Sequence, residues 1–406
     1  MELREQRGLE LAATRKIHQK DGVWFVPSQT SDGTKYQVII RTKVATCTCP
    51  DHETRGVKCK HIYAATFVMK RERNADGTMT VTESLTISET KQTYSQNWSA
   101  YNQAQTHEQD KFQLLLADLC SGMVSPPSRT GRPRLPLSDA LFATTFKVYS
   151  TVSQRRFMSD LREAHRRGYV SKVPHFNSIS NYLENPELTP MLQSLIAKSS
   201  LPLKSVETDF AVDSSGFTTC HFTRWFDHKY GVVKQQHDWV KCHIMCGVKT
   251  NIITAIEIHG RNTGDSPLLP ALVNATAQNF QISEVCADKG YSSRTNLEAI
   301  ESIGAKPFVA FKANTRSNYW GGIWDKTFHY FQFKREEFLQ HYHKRSNVES
   351  TFSMMKRKFR DGLRSKTDVA MVNEVLCKVL CHNLVVLIHE TQELGIDPVF
   401  WERSAA

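Results

Sequence analysis

Long apolar runs are missing from this chain. No stretch of about 18 uninterrupted apolar residues occurs, so no segment is expected to span a membrane. The N-terminus, Met-Glu-Leu-Arg-Glu-Gln-Arg, lacks the apolar core that an export signal needs. With no export signal, the 10 cysteines are expected to be thiols or metal ligands, not disulfides, in an intracellular protein. Acidic charge is the scarcer sign. Lys and Arg total 52 against 41 for Asp and Glu, a net charge of +11. That excess is spread along the chain, not confined to a tail, and it points to a polyanionic partner, most simply nucleic acid. At 406 residues, 40% hydrophobic and 23% charged, the chain has the composition of a soluble protein of two or three domains.

Near the N-terminus, Val23–Val26 and Tyr36–Arg41 have strand composition, with the turn-rich Ser-Asp-Gly-Thr at 31–34 between them. Cys47-Thr-Cys49 follows, then Cys59-Lys-His61 after nine residues, then a run at Ile62–Lys70 with helix composition. Three thiolates and one imidazole suit a closed, tetrahedral structural Zn²⁺ site. The segment between them is too short and polar to hold itself by burial, so the metal would supply the folding energy. The pattern C-x-C-x9-C-x-H, after two strands and before a helix, resembles the SWIM zinc finger. That resemblance implies a small ββα finger of about 1–72 that binds DNA or protein through one structural Zn²⁺ held by Cys47, Cys49, Cys59 and His61. Residues 73–93, rich in Thr, Ser, Glu and Asn, read as a linker, with room for one edge strand at Met79–Ile87.

Residues 94–200 read as helical. Asp110–Leu119, Asp139–Thr151 and Phe157–Gly168 carry helical periodicity, and a further helix starts at Asn177. Arg155, Arg156, Arg162, Arg166 and Arg167 crowd this region, which fits either a helix-turn-helix on DNA or a packing layer with a solvated basic face. Between the first two helices lies Ser-Arg129-Thr-Gly-Arg132-Pro-Arg134. Its three Arg on a proline-extended backbone suit an AT-hook in the minor groove, or an ordinary basic loop.

From Lys204 the texture turns to strands. Ser205–Asp213 alternates, with Glu207, Asp209 and Asp213 on one side, and Asp213-Ser-Ser-Gly216 is expected to end the strand in a turn. Trp239–Val248 and Ile252–His259 complete a three-strand meander. A helix at Pro267–Gln278, capped by Asp265 or Ser266, follows. Next come a strand Glu284–Asp288, a helix Arg294–Ile303, a strand Lys306–Lys312, an insert and a late helix. That last stretch, Tyr342–Lys356, has no Gly or Pro and reads as one helix. Tyr342, Arg345, Glu349 and Lys356 would share one of its faces; alone, an i, i+4 Arg–Glu surface pair accounts for that stripe equally well. The element order is that of a ribonuclease-H-like core, a mixed sheet with flanking helices at 201–406. Such a core places carboxylates from two strand ends and one helix around two Mg²⁺ (or Mn²⁺) ions, and Asp213, Asp288 and Glu349 occupy those places. Asp209, on the same strand face as Asp213, is a further candidate.

Asp213-Ser-Ser-Gly216, Asp288-Lys-Gly-Tyr-Ser292 and the Y-x2-R-x3-E-x6-K stripe resemble, in order, the three blocks of DDE transposases from bacterial insertion sequences, above all the family with a Tyr-Arg-Glu-Lys signature. The resemblance spans about Leu135–Glu390. It implies that Asp213, Asp288 and Glu349 are catalytic and bind the metals, and that Tyr342, Arg345 and Lys356 hold the DNA backbone near the scissile phosphate. It implies cleavage of double-stranded DNA at the terminal inverted repeats and joining of the 3′-hydroxyl to target DNA, by a homodimer or larger assembly in the cytoplasm of a prokaryote, associated with its nucleoid. Members with a long β-rich insertion before the catalytic Glu carry there a Trp that stabilises a flipped base. This chain has only a short insert, with Trp320 and Trp324 in it. A non-catalytic DNA-binding regulator and a nuclease without strand transfer are the competing expectations. Cys242, Cys246, Cys377 and Cys381 read as core thiols.

Overall fold

The structure is a computed structural model. It describes residues 3–29, 33–41, 44–68, 72–73, 79–80, 97–125, 134–219, 239–260, 262–312, 315–316 and 321–401. The chain divides into two compact units, Met1–Ser95 and Gln96–Ala406.

In the first unit, strands β1 (His18–Lys20), β2 (Val23–Pro27), β3 (Lys35–Ile40) and β4 (Ala45–Cys47) form an antiparallel sheet in sequence order. Helix α1 (Leu3–Thr14) precedes them, and α2 (Pro50–Arg55) and α3 (Lys60–Val68) follow. Trp24, Val26 and Val38 from the sheet, Leu11 from α1 and Ile62, Ala64 and Ala65 from α3 share one small core with Cys47, Cys49 and Cys59. The expected strand–strand–helix finger is present, extended by β1, β4 and α1, whose charged sequence gave no sign of a helix. A short pair, β5 (Glu72–Arg73) with β6 (Met79–Thr80), reaches the first two residues of the edge strand expected at Met79–Ile87, and the rest of that stretch lies outside the described residues.

The second unit begins with helices α4 (Trp98–Thr106), α5 (Glu108–Ser121), α6 (Leu137–Ser150), α7 (Gln154–Arg166), α8 (Phe176–Leu183) and α9 (Leu188–Ser200). The sheet follows: β7 (Asp209–Thr218), β8 (Trp239–Gly247), β9 (Ile253–Gly260), α10 (Leu269–Ala277), β10 (Glu284–Ala287), α11 (Arg294–Ser302) and β11 (Lys306–Val309). The remaining helices are α12 (Gly322–Phe333), α13 (Arg335–Tyr342), α14 (Ser346–Phe359) and α15 (Asp368–Glu393). Strand order is β11-β10-β7-β8-β9. β7, β8 and β9 are antiparallel, and β10 runs parallel to both β7 and β11. This mixed sheet fits the ribonuclease-H-like core expected from the element order.

Alternation along β7 divides the core. Phe210 and Val212 face a cluster with Met245, Leu272, Val285 and Phe338. Ala211 and Phe217 face the other, with Ile244, Cys246 and the buried stripe Val348, Phe352, Met355 and Phe359 of α14. Spacings of four, three and four lay that stripe along one side of the helix, so α14 is held flat on the sheet. Behind it runs α15. By length and composition α15 is apolar enough to cross a membrane, yet 89% of its most apolar window is buried inside the protein. Its polar side chains are satisfied within the fold: Asn383 donates to Ile253 O (2.7 Å) and accepts from Ile253 N (2.9 Å).

Three expectations need correction. β7 does not end at Asp213; Ser214, Ser215 and Gly216 pair with His243, Cys242 and Lys241, and the strand runs on to Thr218. Glu207 is not on that strand. It is fully buried beneath the β8–β9 turn, where its carboxylate accepts from the Thr250 N–H and hydroxyl and from Lys249 N. Tyr342–Lys356 is not one helix either. α13 ends at Tyr342, a 3-10 turn spans His343–Arg345, and α14 begins at Ser346.

Candidate active site and metal centre

The register of two parallel strands positions the first two acids. Val212 of β7 lies opposite Ala287 of β10 at the end of their ladder. Asp213 and Asp288 are the next residues on each, so they emerge side by side at one level of neighbouring strands roughly 4.8 Å apart. Carboxyl ends of parallel strands are where open α/β sheets place ligand sites. Asp213 points, by alternation, to the α14 side. There the 3-10 turn delivers Arg345 and the first turn of α14 delivers Glu349.

Arg345 joins the acids. Its Nη1 lies 3.3 Å from Asp213 Oδ2 and its Nη2 2.8 Å from Glu349 Oε1. Tyr342 donates a long hydrogen bond, 3.5 Å, to Asp288 Oδ1, and the Arg345 guanidinium lies 5.9 Å from the centre of its ring. Ser214 N donates to Asp213 Oδ1 at 2.8 Å. Burial raises the Asp213 pKa, and the negative charges of Asp288 and Glu349 raise it further; the Ser214 amide and Arg345 oppose them. Burial likewise raises the phenol of Tyr342. Lys356, one turn from the end of α14, donates to Ser215 Oγ (2.6 Å) and Gly216 O (2.8 Å) and lies over Phe217. Its burial lowers the ammonium pKa. Arg345 and Lys356 therefore reach β7, Glu349 pairs with Arg345 and Tyr342 reaches Asp288 after β10, although a 3-10 turn interrupts their helix.

Asp213, Asp288 and Glu349 are three carboxylates, with the charges of the last two raising the pKa of the first, and they have the hard-oxygen chemistry that suits a divalent cation. They are not drawn tightly together, because Arg345 bridges two of them. Among the described residues, the one set of three or more Cys, His, Asp or Glu side chains whose ligand atoms all lie within 4.8 Å of one another is Cys47, Cys49, Cys59 and His61. All four are buried there, and His61 Nδ1 lies 3.9 Å from Cys47 Sγ and 3.8 Å from Cys59 Sγ. Hydrogen bonding from Cys47 pulls the Cys59 thiol down to about 3, and His61 adds to this. A buried Cys₃His set at this spacing fits tetrahedral Zn²⁺, with Nδ1 as the ligating nitrogen. The Nε2 of His61, on the far side of the ring, has no hydrogen-bond partner among the described residues.

Asp209 is not part of the acidic site. Lys344 Nζ takes it at 2.6 Å and Glu284 at 2.8 Å, and His341 Nδ1 lies 2.8 Å from Glu284. This group anchors the 3-10 turn to the starts of β7 and β10. Cys242, Cys246, Cys377 and Cys381 are fully buried in the larger core, as expected of packing thiols. Arg155, Arg156, Arg162, Arg166 and Arg167 are exposed on and just after α7; Arg166 and Arg167 pair with Glu163. Arg134 is exposed ahead of α6. Arg129, Arg132 and Trp320 lie outside the described residues. Trp324 sits edge-on to Phe311 at 5.0 Å, in the packing of α12.

Sequence reading missed Asp265 as a neighbour of this site. Placed as a helix cap, it makes no side-chain cap bond and instead accepts from Ser214 Oγ at 3.0 Å.

Residues 204–384 match the family model of the transposase DDE domain. Residues 36–69 match that of the SWIM zinc finger. No curated protein matches the chain. Among solved structures, the chain is similar to a piggyBac transposase synaptic complex with hairpin DNA, at 12% sequence identity over 71% of this chain and 77% of that chain, with a TM-score of 0.38.

Proposed function

We propose that this chain, with a DDE transposase domain at 204–384 and a SWIM zinc finger at 36–69, is a DNA transposase that cleaves transposon ends and joins the freed 3′-hydroxyl to target DNA. The observation that carries the reading is that Asp213 and Asp288 stand just past the end of the parallel β7–β10 ladder, with Glu349 alongside on α14. In this proposal the three carboxylates hold two divalent ions, Mg²⁺ or Mn²⁺. Such ions, when bound, activate the attacking oxygen and stabilise the leaving one in an in-line phosphoryl transfer.

The chain's own residues do the rest. Arg345 can offer its planar fork to a phosphate in place of Asp213 and Glu349, and Lys356 presents a point charge beside the end of β7. Tyr342 fixes the Asp288 carboxylate by hydrogen bond. The net charge of +11 supports a polyanionic substrate. We assign double-stranded DNA, the terminal inverted repeats and the target, as that substrate, bound by a homodimer or larger assembly. The helices α6–α8 and the zinc finger recognise the ends, with one Zn²⁺ holding the finger.

Asp213→Asn and Glu349→Gln keep side-chain size and remove a metal-binding charge. Each should reduce Mg²⁺-dependent nicking of an end-bearing duplex by 10³-fold or more, on the order expected when a unit of interdependent catalytic groups loses one member. Nicking at the wild-type rate by either variant would refute the assignment. Supplying target DNA and resolving the products on a gel separates a transposase, which yields joined strands, from a nuclease, which yields nicked ends alone.

A further inference from the structure

Asp265 lies between β9 and α10, on the opposite side of β7 from Glu349. Its Oδ1 is 3.0 Å from the hydroxyl of Ser214, 2.5 Å from Lys241 Nζ and 3.6 Å from His243 Nδ1. Its Oδ2 is turned toward Gly290. A methyl group on Gly290 would lie 3.9 Å from that oxygen and 3.8 Å from Asp288 Oδ2. Asp265 thus reaches the residue after Asp213 with one oxygen and approaches the turn after Asp288 with the other.

The surroundings make this a braced position. Lys241 also donates to Thr263 O at 3.0 Å, so the ammonium that balances Asp265 is itself fixed. His243 is fully buried, with Tyr291 Oη 3.4 Å from its Nδ1, and among the described residues its Nε2 has no partner. Asn296 Nδ2 lies 2.7 Å from Tyr291 O, 2.9 Å from Ser266 O and 3.0 Å from Ser266 Oγ. Asn296 therefore ties Ser266, next to Asp265, to Tyr291 at the far end of the turn after Asp288. Tyr291 and Asn296 are buried, so these bonds form away from competing water.

We propose that Asp265 is a positioning residue for the metal-binding pair: it holds Ser214 on β7 while its neighbour Ser266 is tied through Asn296 to Tyr291 in the turn after Asp288, and so it sets the separation of Asp213 from Asp288. The inference rests on the metal-dependent reading above. Partners that orient metal ligands typically cost 10–100-fold in metal affinity or activity when removed. A displacement of about 1 Å at a reacting centre can cost about a hundredfold in rate.

The test uses the full, zinc-loaded chain without DNA and reads Mn²⁺ binding from the electron paramagnetic resonance signal of the free ion. Thermal unfolding is recorded in parallel. Asp265→Asn keeps the shape but loses the charge that Lys241 balances; it should weaken Mn²⁺ binding about tenfold or more while the unfolding midpoint stays near that of the wild type. Asp265→Glu should recover part of the affinity. Ser214→Ala should weaken binding less, and adding it to Asp265→Asn should cost little more, because both act through one bridge. In cleavage assays the Asp265→Asn rate should climb back as Mg²⁺ is raised, whereas Asp288→Asn should stay inactive. If Asp265→Asn binds Mn²⁺ like the wild type while Asp288→Asn does not, the inference is wrong and the proposed function stands. If Asp265→Asn fails to fold and Ser214→Ala binds normally, the inference is also wrong, and the residue is structural. A wild-type chain that binds no Mn²⁺ beyond its zinc would overturn both.

Discussion

His382 shows how far a single buried group can set the behaviour of the fold. It is 3% exposed and its Nε2 lies 2.9 Å from Asn251 O. Burial lowers its pKa to about 4, with the Asn251 carbonyl opposing and Lys358 adding to the effect. The unfolded value is near 6.5, so the unfolded chain takes up the proton first as pH falls. The contribution is fully present above about pH 6.5 and lost as pH falls toward 4. At 1.36 kcal/mol per pKa unit the swing is about 3 kcal/mol. His382→Gln can still donate to Asn251 O and carries no proton to gain. Denaturant unfolding at pH 7 and pH 4.5 should therefore show a smaller loss of stability on acidification in the variant; equal losses would count against this role. The same scale explains which acids could be told apart in the sequence. Asp209 and Asp213 have identical alternation phase, and nothing local to either shows that Lys344, 135 residues away, takes the first and Arg345 the second. Glu207 shared that phase too, but its place under Thr250 depends on the β8–β9 turn. Asp213, Asp288 and Glu349 were legible because each sits in its own short block, Asp-Ser-Ser-Gly, Asp-Lys-Gly-Tyr-Ser and the Y-x2-R-x3-E-x6-K stripe, and the blocks come in the right order, although β7 runs on past Asp213. Asp265 was not, because its partners Ser214 and Lys241 stand on two strands distant from it in sequence.

Among the elements, the strands and the amphipathic helices were the legible ones, since alternation and apolar periodicity record their packing directly. The interruption at His343–Arg345 left no sequence mark. It arises where Lys344 is pulled to Asp209 and Glu284 while Arg345 turns to Asp213, and tightening the helix to a 3-10 turn lets neighbouring residues reach both. Helix α1 was equally hidden, because charged residues fill its first turns and, beside the buried Leu11, its close contact with α3 depends on the absence of a side chain at Gly8. A Cβ on Gly8 would lie 2.5 Å from Tyr63 Cβ and 2.9 Å from Lys60 O, so α1 crosses α3 too closely for any larger residue. In an isolated helix Gly→Ala gains up to about 1 kcal/mol. Here overpacking should outweigh that gain, at roughly 1–3 kcal/mol. Gly8→Ala should release zinc to a colorimetric chelator several times faster than the wild type. Unchanged release would mean that α1 does not brace the finger.

At the scale of the whole molecule, the two units rest on different physics. The unit at 96–406 has two broad apolar clusters on either face of its sheet, with α15 buried along its length. Among the described residues the unit at 1–95 has one small cluster, and three of its buried members are the thiols Cys47, Cys49 and Cys59. When those thiols bind a metal, much of that core is a coordination sphere, and structural zinc in such small sites supplies on the order of 10–16 kcal/mol. Removing it leaves deprotonated or unpartnered sulfur in a core too small to bear the cost. Chelation should therefore abolish one of two calorimetric transitions and leave the larger at its original temperature; Cys59→Ser should do the same without chelator. The effect on DNA then separates the roles of the units. Phosphate contacts make binding fall steeply with salt, with a slope that counts the cations engaged. If the finger touches DNA, the chelated protein should bind end-bearing duplex more weakly and with a shallower salt slope. An unchanged slope would assign DNA contact to the larger unit, leaving the finger to a protein partner.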